Sequence, residues 1–223
     1  MEDGKAMINI IYEDNHLLVV EKPINIPVQK DSSNDNDLLT MLKTYLKEKY
    51  QKPGNVYLGL VHRLDRPVGG IMVFAKTSKA ASRLSEQIRN KTFQKTYVAV
   101  VHGHIEKEAT FTDKLLKNHQ TNITTISSKG KEAKLHYQLL GTQKNLSLVK
   151  INLITGRPHQ IRVQFASRNH PLYGDQKYGK TKEKDQIALF AKTIKFLHPT
   201  TKKELFFELS LPDRYPFNIF KNI

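Results

Sequence analysis

The stretch His62-Arg63-Leu64-Asp65-Arg66 stands between two apolar runs, at 58–61 and 69–75. Both runs have the composition of β-strands, so the sequence predicts a loop that carries one acid flanked by two arginines. Gly69 and Gly70 open the second run, and paired glycines permit a sharp turn or the close approach of another group to the backbone. A reactive carboxylate and a structural salt bridge both account for this pattern.

Strand-like sequence dominates on either side of this loop. Runs rich in β-branched and aromatic residues predict strands at 8–12, 17–20, 56–61, 71–75, 96–101, 135–140, 146–154, 187–197 and 205–209, with a hairpin at 198–204. Helical spacing predicts three helices, one after the capping segment 34–37, one over 78–89 and one over 158–167. Because regular βαβ alternation is not seen, we expect an α+β fold with a mostly antiparallel mixed sheet. No linker is visible, which predicts a single domain over 1–223, with two lobes around a central cleft.

The composition favours a polyanionic partner. The chain has 36 Lys plus Arg against 21 Asp plus Glu, a formal net charge of +15. Neutralising a phosphate releases counterions, so nucleic acid is the leading partner and an anionic membrane surface the second. The absence of cysteine excludes disulfides and thiolate nucleophiles and fits a cytoplasmic protein. No apolar run approaches the length of a membrane span, and we expect no membrane partner.

One segment matches the phosphate-binding P-loop pattern, Gly174-Asp175-Gln176-Lys177-Tyr178-Gly179-Lys180-Thr181. A P-loop needs a strand directly before it and a helix directly after it. Here Asn169-His170-Pro171 precedes the match and the charged run 182–185 follows it, so we expect no nucleotide cofactor. The histidines also lack the spacing of a metal site, and we expect no metal.

Two further segments carry candidate functional side chains. At 155–162 a helix begins with Pro158 in its first turn, and Arg157 with the exposed amides there is suited to hold a phosphate. Arg162 lies farther along, facing either solvent or the interior, and in the interior it requires a carboxylate. Strand alternation places Tyr97 on the same face as Lys95, where Tyr97 alone is most simply a core residue.

Taken in order, these segments resemble the RluA family of pseudouridine synthases. Residues 11–14 and 19–23 resemble its opening motif, and His62-Arg63-Leu64-Asp65 with Gly70 resembles its catalytic motif. Lys95-Thr96-Tyr97 with Gly103 resembles its tyrosine motif. Thr155-Gly156-Arg157 and 159–162, followed by Pro171, Gly174-Asp175 and Tyr178-Gly179, resemble the third motif and its tail. The resemblance covers nearly the whole chain and accounts for the P-loop match.

The resemblance implies an RNA-modifying isomerase that needs no cofactor, and we expect the protein to be a cytoplasmic monomer. It implies that Asp65 is the catalytic carboxylate, which either attacks the ribose C1′ or removes the C2′ proton. Tyr97 would stack on the uracil and take the C5 proton, and Arg162 would keep Asp65 ionised through a buried ion pair. Substrate-binding roles are implied for His62, Arg63, Leu64, Arg66, Lys95, Arg157, His159, Gln160 and Ile161, with Arg63 filling the space of the flipped nucleotide.

The chain departs from the family at two points. Pro67-Val68-Gly69 replaces the Asp-Thr-Ser found in most members, which changes the packing of the catalytic loop but keeps the acid and both arginines. We also expect no N-terminal RNA-binding domain of the S4 type, which bears on the RNA target. Large-subunit ribosomal RNA is the expected substrate and transfer RNA the second choice. A noncatalytic RNA-binding protein of ribosome assembly is the alternative from another class.

Overall fold

The computed structural model describes residues 8–31, 33, 35–179 and 185–221. Within this part of the chain the strands are β1 Asn9–Glu13, β2 Leu17–Lys22, β3 Gly59–Leu60, β4 Gly69–Ala75, β5 Gln94–His102, β6 Glu108–Asn118, β7 Ile123–Ile126, β8 Lys131–Gln143, β9 Leu146–Leu153, β10 Leu189–Leu197 and β11 Glu204–Glu208. The α-helices are α1 Leu38–Lys49, α2 Ser78–Arg89 and α3 Gln160–Ala166, and a 3₁₀ helix covers Phe217–Phe220. None of the helices in the described ranges is long and apolar enough to cross a membrane.

The chain divides into two compact units, each with its own core. The first unit runs up to Phe93 and takes in Lys195–Phe207, and the second contains Gln94–Ile194 and the chain from Glu208 onward. Strand β10 begins in the second unit and ends in the first, where β11 pairs with it.

The first unit is built around β4, whose seven residues are all buried. Strand β2 pairs antiparallel with both β1 and β4, and the short β3 also pairs with β4. Helix α1 buries Leu38, Leu42 and Leu46 at helical spacing, as the sequence predicts. The Asp37 carboxylate caps α1, while Asn34 lies outside the described residues.

The second unit is an antiparallel sheet in the order β5-β9-β8-β6-β7. One face packs against α3, where the Phe165 ring lies 5.1 Å from Phe111 and 5.3 Å from Tyr137 between ring centroids. The other face buries Val98 and Val100 against the C-terminal 3₁₀ helix. Because Tyr97 and Tyr137 both pair with Ile151, Tyr97 lies on the face that α3 covers.

The predicted fold class, α+β with mostly antiparallel pairing, is confirmed. The hairpin at 198–204 is confirmed by the His198 amide, which donates to the Lys203 carbonyl at 2.8 Å. Strands β6 and β7 were not predicted, and of the strand predicted at 56–61 only Gly59–Leu60 forms. The prediction of a single domain with a cleft stays a prediction.

Candidate active site

The loop that carries Asp65 is anchored to the first unit on both sides of the acid. Before it, His62 Nε2 accepts the backbone N–H of Val73 in β4 at 3.1 Å, and the Leu64 side chain is buried. After it, the Val68 amide donates to the Asp65 carbonyl at 2.9 Å and closes a tight turn. These contacts fix the backbone of Asp65 and leave its carboxylate partly exposed.

A buried lysine stabilises this turn by donating hydrogen bonds to its backbone carbonyls. Lys22, at the end of β2, is 1% exposed, and its ammonium donates to the carbonyls of Pro23, Arg66 and Val68 at 2.9, 3.0 and 2.8 Å. Burial lowers the pKa of Lys22 to about 7, an effect that the charge of Asp65 opposes. Opposite Lys22 in the sheet register, Gly70 has φ +122°, a conformation that glycine adopts readily. The lysine therefore fixes the path of the chain directly after Asp65.

The two arginines beside Asp65 have different surroundings. Arg66 donates to the carbonyl of Asn25 at 3.2 Å and to the Ser33 hydroxyl at 2.9 Å, and it forms an ion pair with Asp35. Arg63 is exposed and has no protein hydrogen bond within the described ranges. Of the two, Arg63 is the one whose guanidinium is available to a ligand.

In the second unit, Lys95 and Tyr97 project from the same face of β5. Tyr97 is 6% exposed, whereas Lys95 is only partly buried. Burial lowers the pKa of the Lys95 amine. Close to it, a Cβ placed on Gly156 would lie 3.5 Å from Lys95 Nζ, so the turn before α3 lies next to the amine.

Arg162 faces the interior and forms a buried, two-pronged ion pair. Its Nε donates to Asp175 Oδ2 at 2.9 Å and its second guanidinium nitrogen donates to Oδ1 at 2.7 Å. Arg162 is 6% exposed and Asp175 1%. A planar guanidinium fits a carboxylate in this way, so its orientation is fixed as well as its charge. Of the two orientations that the sequence left open for Arg162, the structure shows the interior one, and Asp175 is the carboxylate that it requires.

Asp175 is itself held by a tight turn. Its Oδ1 also accepts the amides of Lys177 and Tyr178 at 3.0 and 3.2 Å. The turn depends on Gly174, which has φ +70° and whose Cβ would lie 2.6 Å from the Gln186 carbonyl oxygen. The segment that matches a P-loop is therefore the support of an ion pair; its Lys180 and Thr181, with 182–184, lie outside the described residues.

The Gln160 side chain stabilises the turn before α3 through hydrogen bonds to the backbone and to Thr155. The Gln160 side-chain oxygen accepts the Thr155 hydroxyl at 2.8 Å and the Arg157 amide at 3.0 Å, and its nitrogen donates to the Lys134 carbonyl at 3.1 Å. Arg157 Nε donates to the Glu132 carbonyl at 2.8 Å. Gln160 is 2% exposed, which favours a positioning role over direct contact with a ligand.

His159 begins α3 in the left-handed conformation, with φ 53°. Its Nδ1 lies 2.7 Å from the Tyr178 hydroxyl, which accepts the Thr124 amide at 2.9 Å. The Tyr178 ring also lies under the Arg162 guanidinium, 5.2 Å from its centroid. Ile161 next to it is buried, so its side chain belongs to the core.

Sequence reasoning missed two structural roles, that of Asp175 in the second unit and that of Lys22 in the first. Asp175 was assigned only to a motif tail, although it is the buried partner that an inward Arg162 requires. Lys22 belonged to the opening motif without a role; a lone lysine at the end of the apolar run at 17–20 was the available signal. The predicted pairing of Arg162 with Asp65 and the ligand-binding role of each predicted residue stay predictions.

Comparison with known proteins identifies the family. The model of the family described as RNA pseudouridylate synthase matches residues 16–167. The chain belongs to this family. Its members convert uridine to pseudouridine in RNA, so the chain is an isomerase of the RluA-type pseudouridine synthases.

Curated relatives support the family across the chain. A ribosomal large subunit pseudouridine synthase D of Zymomonas mobilis is 34% identical over 92% of this chain and 69% of its own length. A ribosomal large subunit pseudouridine synthase C of Buchnera aphidicola is 35% identical over 96% of this chain and 70% of its own length.

A solved structure supports the fold. The human RNA pseudouridylate synthase domain containing 4 matches with a TM-score of 0.77 at 22% identity, over 92% of this chain and 88% of that one.

Proposed function

We propose that this pseudouridine synthase modifies specific uridines in a structured loop of large-subunit ribosomal RNA. The proposed target rests on two relatives that are 34% and 35% identical to this chain over more than nine-tenths of its length. Both are named as ribosomal large subunit pseudouridine synthases. The net charge of +15 supplies affinity for any RNA, so selectivity comes from how easily a loop uridine is unstacked and flipped.

The reaction breaks the bond between ribose C1′ and N1 of uracil and rejoins the base through C5. Asp65 is the catalytic carboxylate in this proposal. It either attacks C1′ to form an ester or removes the C2′ proton to give a glycal, and both routes need an ionised acid. The anchored loop supports this role, because His62 and Lys22 fix the backbone on either side of a partly exposed carboxylate.

Tyr97 and Arg162, which both belong to the second unit, are the other catalytic residues in this proposal. Tyr97 stacks on the uracil and takes the C5 proton after the new carbon–carbon bond has formed. Arg162 supplies a fixed positive charge, and its ion pair with Asp175 supports that role by holding the guanidinium in one orientation.

The remaining predicted residues divide into ligand-contacting and positioning groups. Exposed Arg63 occupies the position in the base stack that the flipped nucleotide vacates, because its planar cation stacks on bases and binds phosphate. Gln160 and His62 act through the backbone that they brace. The enzyme acts as a monomer in the cytoplasm and uses no cofactor in this proposal.

Pseudouridine mapping of total RNA from cells with and without this gene tests the proposal. Loss of a mark in large-subunit ribosomal RNA is the expected result, and complementation with the Asp65→Asn variant should not restore it. Loss confined to transfer RNA would replace the proposed target with the second one. Marks that are unchanged in both RNAs, or restored by Asp65→Asn, would favour a noncatalytic RNA-binding protein of ribosome assembly.

A further inference from the structure

The Lys95 amine is partly withdrawn from water without an opposite charge beside it in the described part of the chain. Lys95 is partly buried in β5, yet its amine has no hydrogen-bond or ion-pair partner among residues 8–31, 33, 35–179 and 185–221. Removing an ammonium ion from water without an opposite charge is unfavourable. An anion that reached this amine would therefore bind it more strongly than it binds a fully solvated lysine.

The turn beside Lys95 leaves the amine accessible. Gly156 is exposed, and any side chain there would begin 3.5 Å from Lys95 Nζ, in van der Waals contact with the amine. The backbone of Gly156 lies outside the left-handed region, so its conformation does not demand glycine. A side chain at this position would therefore fit the backbone and would lie against the amine.

The strand also places this amine beside a proposed catalytic residue. Lys95 and Tyr97 are two residues apart on one strand, so their side chains share a face at a spacing of about 7 Å. Lys150, which pairs with Val98 in the same sheet, lies on the opposite face and is exposed. The two lysines therefore belong to the same sheet but project from opposite faces of it.

We propose that Lys95 Nζ binds an unesterified phosphate oxygen of the RNA strand next to the target uridine. This inference rests on the proposed function and specifies how the same site holds its substrate. A uracil carbonyl would give the amine a hydrogen bond but no charge, whereas a phosphodiester gives both. The RNA itself therefore supplies the anion that the folded chain lacks.

Binding measurements on catalytically inactive protein test this inference. In an Asp65→Asn background, Lys95→Met should weaken binding of large-subunit ribosomal RNA, extracted from cells that lack the gene, by about tenfold or more. The slope of log affinity against log salt should fall by about 0.7 to 0.9, the value for one phosphate contact. Lys95→Arg should keep most of the affinity, and the matched control Lys150→Met should change it less than twofold.

A stability measurement separates this role from a structural one. Lys95→Met removes a desolvated, unpaired charge, so its melting temperature should equal or exceed that of the parent protein. A lysine that held the fold together would give a lower melting temperature. Gly156→Ala offers a second route, because it keeps the charge but should weaken RNA binding by placing a methyl group against the amine.

Two results would overturn the inference. One is an unchanged affinity and salt slope for Lys95→Met, and the other is an equal loss for Lys150→Met, which would indicate general electrostatic attraction. Pseudouridine formation by the native enzyme is scored separately. Its absence from this RNA would refute the proposed target, while the binding comparison would still decide the role of Lys95.

Discussion

The buried amine of Lys22 should make the stability of this protein rise with pH in a range where most residues do not titrate. Burial lowers its pKa from 10.5 to about 7 in the folded state. Between these values the unfolded chain binds the proton more tightly than the folded chain does. The linkage relation then requires the free energy of unfolding to increase with pH across that range.

The size of the effect follows from the same two values. For one group with these pKa values, the free energy of unfolding increases by about 2 kcal/mol between pH 7 and pH 9. The carbonyls of Pro23, Arg66 and Val68 favour the charged amine, so about 2 kcal/mol is an upper value. Below about pH 6, where Lys22 is protonated in both states, its contribution should be constant.

Urea unfolding of the native protein and of Lys22→Met at pH 7, 8 and 9 measures this directly. The difference in unfolding free energy between the two proteins should shift with pH in favour of the native protein. The matched control Lys30→Met removes an exposed lysine from the same unit and should show no such shift. A difference that stays constant with pH, or shifts the other way, would refute the reasoning about burial of the amine.

Three other substitutions test the site. Asp65→Asn should abolish isomerisation while leaving folding and RNA binding nearly unchanged, and substantial turnover by this variant would remove Asp65 from the mechanism. Tyr97→Phe should keep substrate binding but slow the reaction after glycosidic cleavage, as rapid-quench analysis of the RNA would detect; native rates would show that the hydroxyl has no role. Asp175→Ala removes the carboxylate that accepts two hydrogen bonds from buried Arg162, so chemical denaturation should show a loss of about 3 kcal/mol. An unchanged unfolding midpoint would contradict that assignment.

Local signals explain which parts of the fold could be predicted. Helices α1 and α2 were found because their caps, Asp37 and Thr77, and their apolar spacing both lie within a few residues of each other. Strand β6 was missed because only Phe111 and Leu115 among its eleven residues are buried. A strand so exposed carries a weak apolar alternation, and its pairing with β8 determines it instead.

The candidate site likewise has parts that local sequence signals reveal and parts that depend on contacts between distant segments. Motif order identified the family and selected Asp65, Tyr97 and Arg162 for catalysis. The ion pair of Arg162 with Asp175 depends on a turn at Gly174 that returns the chain to α3, and no periodicity in the sequence encodes such a return. Gln160 was assigned to substrate for a related reason, since one of its internal partners, the Lys134 carbonyl, belongs to a segment distant in sequence.

The hydrogen bonds around Tyr178 also join segments that lie far apart along the chain. Its hydroxyl accepts the Thr124 amide of β7 and lies 2.7 Å from His159 Nδ1, directly before α3. The Tyr178 amide donates to Asp175 Oδ1, the same oxygen that accepts Arg162. One tyrosine therefore connects an edge strand, the start of a helix and the turn that holds the buried ion pair.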